Sequence, residues 1–284
     1  MAVFLGFFGF TFVLATRDLL YRFLMIQGLE VSTVLFLSGL GCFITALIAN
    51  AIAKGSFLPN EWKFQVIRVV NGGLTYTLIL KSFQLLNATS VSIFSKAYLP
   101  IMILLPRLGD KYSGTQKALA SLSLASLLVF MFFTRDASEP LLGYLLLLLC
   151  TGLVIAEFVM LKTSTQKEGP FIVAAMPAIA CMIVGGMGTK SVTLLSLTPG
   201  LWAFSFLSGV ALFFVYFLSI YRYRILPLGI SEYPALITAL VILPVEYLLF
   251  DWKPTPLYIF NVVILILLLG GVLFLKNKNS GNTK

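Results

Sequence analysis

The sequence predicts an all-α integral membrane protein: ten transmembrane helices, arranged as two inverted five-helix repeats, with both termini in the cytoplasm. Three observations lead there. Of 284 residues, 59% are hydrophobic and 11% charged, with a mean hydropathy of +0.99; a soluble domain carries about 25% charged residues. Apolar runs long enough to cross a bilayer core, about 20 residues each, recur along the whole chain. They lack the period of two that a barrel needs, and lipid leaves only helices and closed barrels as spanning structures. Finally, a shift that carries Asp110 onto Asp251 also carries Lys81 onto Arg222, Ser90 onto Ser231 and Ala15 onto Ala156.

Hydropathy places the spans at 3–26, 31–53, 64–86, 88–106, 115–134, 141–161, 171–189, 199–221, 227–250 and 256–275. The first carries three charges, in "ATRDLLYRFL" (15–24), and no short h-region with a cleavage site precedes it. The fourth contains Pro100 and the ninth Pro244. The seventh, "FIVAAMPAIACMIVGGMGT", is rich in small residues. Gly72-Gly73, Gly185-Gly186 and Gly270-Gly271 read as sites of close helix packing. Trp62, Trp202 and Trp252 fall near span ends, as an interfacial belt does.

Sidedness follows from the basic residues. An inside N-terminus gives the cytoplasmic segments Lys54, Lys63, Arg68, Arg107, Lys111, Lys117, Lys162, Lys167, Arg222, Arg224, Lys276, Lys278 and Lys284, and the outer loops only Arg135, Lys190 and Lys253. The repeat divides the chain into 1–137 and 138–284, which together form one transport-type domain. An odd number of spans per half turns the second half upside down, the arrangement of many secondary transporters.

Several local motifs carry a family likeness. The fourth span, "NATSVSIFSKAYLPIMILL" (87–105), has a small-polar entry and a mid-helix proline, and is followed by "LGD" (108–110). The ninth, "LGISEYPALITALVILPVEYLLFD" (228–251), matches it in the second half, and the third opens "IRVVNGG" (67–73). With ten spans in two halves, this resembles the EamA-like branch of the drug/metabolite transporter superfamily over nearly the whole chain. The second span, "VLFLSGLGCF" (34–43), lacks the Arg that many family members carry there, so no substrate role transfers to that position. Asp18 followed by Arg22 in span one is similar to S-adenosylmethionine transporters of intracellular bacteria. The resemblance implies a bacterial inner-membrane carrier that takes up S-adenosylmethionine or exchanges it for S-adenosylhomocysteine. An exporter of amino acids or amphipathic drugs is the alternative.

The candidate substrate-binding residues are the ionisable and polar groups inside spans. A charge at a helix centre costs about 2.5–3.5 kcal/mol and persists when it pairs or faces water. Asp18 and Arg22, four apart, share a helix face and can pair, whereas Arg17 points about 100° away and needs another partner. Arg22 and Arg17 could instead snorkel to the surface. Ser92 and Lys96, with Ser95 and Leu99, fall on one face of the fourth helix. Lys96 could line a pathway or bridge to Glu157 or Glu232, and either acid could bind a cation or carry a proton. Glu246 reads as a rim residue. On spans that line the cavity in the related fold, Tyr76, Tyr98, Tyr216 and Tyr233 could stack on a flat base or hold a cation. The expected arrangement is a polar cavity in which arginine binds a carboxylate and Asp18 or a Glu takes an ammonium.

Other functions fit poorly. The net charge of +9 has no soluble basic domain to hold it against nucleic acid. There is no His, no HExxH, no GxSxG and no GxxxxGK[ST], so an enzyme, a His-based metal site or direct ATP use is not expected. Neither cofactor nor metal is predicted, and Cys42, Cys150 and Cys181 form no disulfide framework. A channel or membrane scaffold remains the non-transporter alternative, and drive would come from a proton, an ion or a counter-substrate.

Overall fold

A computed structural model describes residues 2–55, 57–105, 112–136, 138–225 and 228–280; within them every regular element is helical. The helices are α1 (Ala2–Ile26), α2 (Val31–Ala53), α3 (Trp62–Leu85), α4 (Ala88–Phe94), α5 (Tyr98–Leu104), α6 (Gly114–Val129, continued by a π-turn, Phe130–Thr134), α7 (Leu141–Lys167), α8 (Pro170–Gly188), α9 (Ser191–Ser196), α10 (Pro199–Ile225), α11 (Leu228–Leu249) and α12 (Pro256–Ser280). Helices occupy each of the apolar windows. The short α9 was not expected.

Among the described residues four stretches are long and apolar enough to cross a membrane: Val31–Ala53, Gly114–Phe133, Pro170–Gly188 and Pro199–Arg222. Shorter apolar helices lie at Ala88–Leu104, Leu141–Glu157, Pro234–Leu249 and Pro256–Gly271. The outer surface is as greasy as the core, with Phe133, Met187 and Leu195 more than four-fifths exposed. Such an exterior fits a membrane protein and would aggregate in water.

Local chemistry sets the ends. Gly28, at φ 77°, closes α1 in the left-handed conformation that glycine adopts without strain. Ser113 and Gln116 form a reciprocal capping box on α6, and Pro170 opens α8, where its missing N–H is no loss.

The expected single helix over 88–106 is broken. Pro100 cannot donate to the Lys96 carbonyl and its ring crowds it. The chain tightens instead: Lys96 N–H bonds to Ile93, Ala97 N–H to Phe94 and Leu99 N–H to the Lys96 carbonyl, at 2.9–3.0 Å. The shared face predicted for Ser92, Lys96 and Leu99 is lost at this turn. Ser92 stays buried in α4 with an unbonded hydroxyl.

In the packing, α2 lies against α8 and α10, α3 against α7 and α8, and α1 against α10 and α11. Elsewhere α4 crosses α11, α6 meets α12, α5 meets α6 and α11 meets α12. The closest approaches need glycine: a Cβ on Gly209 would overlap the Ser38 carbonyl, and one on Gly41 the Phe206 carbonyl. Of the predicted glycine pairs, Gly185 abuts the α2 backbone and a Cβ on Gly73 would come within 2.9 Å of the Val184 side chain, whereas Gly72 and Gly186 have ordinary clearances. Toward the 135–140 and 250–255 connections the interior is filled by edge-to-face aromatics, with ring centroids at 4.6 Å for Phe94–Tyr144 and 4.9 Å for Phe130–Tyr258 and for Trp252–Tyr258.

Candidate functional site

A cavity of about 170 Å³ lies beside the α4–α5 break. Six elements build it. Phe10, Leu14 and Arg17 come from α1, Thr75, Tyr76 and Ile79 from α3, and Ser95, Lys96 and Tyr98 from the break. Val154 and Glu157 come from α7, Val215, Tyr216, Ser219 and Arg222 from α10, and Glu232 and Ala235 from α11.

Seven of the predicted residues line this wall: Arg17, Tyr76, Lys96, Tyr98, Glu157, Tyr216 and Glu232. Asp18 sits behind it, 2% exposed. The side chain of Tyr233 lies outside the described residues, as do Arg107–Lys111 and their "LGD" motif. Ser92 and Arg22 are absent from the lining.

The pairings differ from those the helical spacing predicts. Arg17, not Arg22, holds Asp18: Nε and Nη2 donate to Oδ1 at 2.9 and 2.6 Å. Neighbours in a helix diverge by about 100°, but the long arginine stem folds back across that angle. Arg22 neither snorkels nor enters the cavity. It donates to the Phe83 carbonyl at 2.7 Å and to Asn87 at 3.3 Å, joining α1 to the α3–α4 junction.

Lys96 does not bridge to either glutamate. Glu157 is taken by Arg68, whose Nη2 and Nε donate to Oε1 at 2.8 and 3.2 Å, with Asn71 at 3.4 Å. Arg68 also reaches Gln65 at 3.1 Å and the Val173 carbonyl at 3.2 Å. Glu232 accepts a short hydrogen bond from Tyr98, and its carboxylate lies 3.8 Å from Arg222. The Arg222 guanidinium also stands 3.5 Å above the Phe10 ring, a desolvated cation–π contact.

Two cations counted as cytoplasmic are therefore interior: Arg68 is 0% and Arg222 3% exposed. Window reading places them at span ends, where basic residues are assigned to water. The missed signal is spacing. Arg68, Asn71 and Thr75 fall on one face of α3, and Tyr216, Ser219 and Arg222 on one face of α10.

Glu246 is not a rim residue either; it is 1% exposed. It accepts from Ala88 N–H at 2.6 Å, Thr89 N–H at 2.8 Å and the Thr89 hydroxyl at 2.6 Å. An acid of α11 thus satisfies the orphan donors that start α4, which its own Asn87 does not cap. Glu139, in the connection before α7, takes Asn87 N–H at 2.8 Å and Ser90 at 3.0 Å, and Tyr144 donates to it too.

No group of three or more His, Cys, Asp or Glu suited to a metal occurs among the described residues. The chemistry on offer is recognition: cations, hydrogen-bonded acids and a tyrosine pair, all in a small buried space.

No family model and no curated protein matches the chain. Solved structures do: one, described only as "Crystal structure of protein", aligns with a TM-score of 0.66 over 95% of this chain and 98% of its own, at 13% identity. At that identity the likeness concerns the fold alone. Fold and site together define an apolar helical bundle with a charged internal cavity.

Proposed function

We propose that the chain is a secondary transporter of a small metabolite that carries both signs of charge, working by alternating access across a bacterial inner membrane. The observation that carries this reading is the cavity. Charges of both signs are buried together, beside a helix break, inside a bundle with an apolar exterior. Buried ionisable groups in a membrane are costly and mark substrate or ion pathways. Discontinuous helices recur at transporter binding sites.

The packing supports ten spans in two inverted halves. If α1, α2, α3, α4–α5 and α6 correspond to α7, α8, α10, α11 and α12, then α2–α8, α4–α11 and α6–α12 are pairs of counterparts. Other contacts come in mirror-related pairs: α1–α10 with α3–α7, α2–α10 with α3–α8, and α5–α6 with α11–α12, while α1–α11 packs more extensively than its mirror, α7 with α4–α5. With the N-terminus inside, the aromatic plug and the Glu246 cap close the outer end. Rocking one half against the other would open it.

Cavity volume bears on the substrate. Small-molecule sites enclose roughly 300–1,000 Å³, so about 170 Å³ suits an amino-acid head group in this conformation. S-adenosylmethionine, the first compound to test, would need the halves to part around its nucleoside. The test is counterflow in proteoliposomes: radiolabelled S-adenosylmethionine outside, S-adenosylhomocysteine or amino acids inside. Saturable uptake accelerated by preloading is expected. Linear, unaccelerated flux would indicate a channel, and no flux of any of these would defeat the proposal.

A further inference from the structure

Arg17 and Arg68 are committed to acids by direct hydrogen bonds, and Arg222 is engaged more loosely. Arg17 gives two N–H donors to Asp18. Arg68 serves Glu157. Arg222 lies beside Glu232 and against Phe10. Lys96 differs from all three. It lines the cavity at the turn where α4 breaks and is 8% exposed. Among the described residues its ammonium has neither a hydrogen bond nor an ion pair. Asp18 and Glu232 attract it only from beyond ion-pair distance. A buried cation without a direct partner is costly, and the cavity beside it has room for a closer counter-charge.

We infer that Lys96 is the anion anchor of the cavity, and that the substrate must present a carboxylate to it. This rests on the transporter reading and narrows it. A dianionic phosphate is disfavoured because Glu157 and Glu232 line the same wall. An amphipathic amine without an acid is disfavoured because it would bring a second uncompensated cation to Lys96. The glutamates, held by Arg68 and Tyr98, shape the rest of the wall. The break explains the position: with no Pro100 N–H to receive, the chain turns at 95–97 and projects Lys96 into the space between α1, α3, α7, α10 and α11.

The test uses the purified full chain in detergent and three matched probe pairs: methionine with 3-(methylthio)propylamine, phenylalanine with phenethylamine, and S-adenosylmethionine with its decarboxylated form. Binding is read by tryptophan fluorescence and thermal shift. At least one acid binds about tenfold or more tightly than its amine; Lys96→Gln loses about tenfold or more, and Lys96→Arg keeps most of the affinity. Without ligand, Lys96→Gln unfolds at a higher temperature than wild type, because an unpaired buried charge is gone; a merely structural lysine would give the opposite. An amine that binds as tightly as its acid, unchanged affinity in Lys96→Gln, or no binding of any acid overturns the inference. Acid binding through Lys96 without proteoliposome flux would defeat the transporter reading and leave the anchor standing.

Discussion

The Tyr76 hydroxyl donates to the Tyr216 hydroxyl at 2.9 Å, tying α3 to α10 at the wall of the cavity. The rings stand 6.5 Å apart and both side chains are buried. Removing either hydroxyl leaves the other in a dry setting, at a cost of about 1–3 kcal/mol. Tyr76→Phe and Tyr216→Phe should each lower the thermal midpoint in detergent, and the double variant should cost clearly less than their sum. Strict additivity in that cycle would mean the bond carries no stability.

Arg68 and Glu157 form a buried pair, with side-chain exposures of 0% and 13%. Glu157→Gln strands the guanidinium and should cost about 3–5 kcal/mol. Arg68→Met with Glu157→Leu, which removes both charges, should recover most of that loss in thermal unfolding. Equal destabilisation by the single and double variants would contradict the uncompensated-charge explanation.

Helix contact at Gly209 is backbone on backbone, so Gly209→Ala must push α10 from α2, a cost of about 1–3 kcal/mol for overpacking. A Cβ at Gly72 meets Ala180 at 3.6 Å, ordinary contact. Gly72→Ala should therefore leave the thermal midpoint nearly unchanged. Similar midpoints for the two variants would show that the α2–α10 approach can relax.

Pro100→Ala returns the N–H that α4–α5 lacks and removes the ring clash that breaks the helix. The expected outcome is a thermal midpoint no lower than wild type together with a loss of uptake, as Lys96 swings from the cavity. Normal uptake in a stable variant would show that the break is not needed.

Glu139 lies in the connection before α7. There burial outweighs the hydrogen bonds from Tyr144, Asn87 and Ser90 and raises its carboxyl above the ordinary 4.5. The folded chain thus binds this proton more tightly than the unfolded chain. The resulting stability is complete below pH 4.5 and lost as pH rises through the raised value. Asp136, lowered from 3.8 by Ser138 and Trp252 despite partial burial, acts in the opposite sense and loses its contribution as pH falls. Midpoints measured from pH 4.5 to 7.5 should decline more steeply in wild type than in Glu139→Gln; parallel curves would remove Glu139 as the cause.

The helices, and seven of the residues that line the cavity, were legible in the sequence. Long apolar runs must bond their own backbone, so helices appear wherever hydropathy is high, four of them among the described residues long and apolar enough to cross a membrane, and Arg17, Lys96, Glu157 and Glu232 stand out because charge is rare there. Tyr76 and Tyr216 were found through the family likeness. Arg68 and Arg222 were missed because they sit at span ends, where one-dimensional reading assigns basic residues to water. What only the tertiary structure decided is pairing. Which acid each arginine takes depends on how neighbouring helices rotate and cross, and those rotations are set by close approaches such as Gly209 on Ser38 and by the break ahead of Pro100. The sequence by itself determined that charges would be buried. The packing determined that Asp18 and Glu157 would go to arginines and Glu232 to Tyr98 with Arg222 nearby, and that Lys96 would face the cavity without a hydrogen bond or ion pair among the described residues, because an ion pair forms over a few ångströms in space and the chain order does not specify those distances.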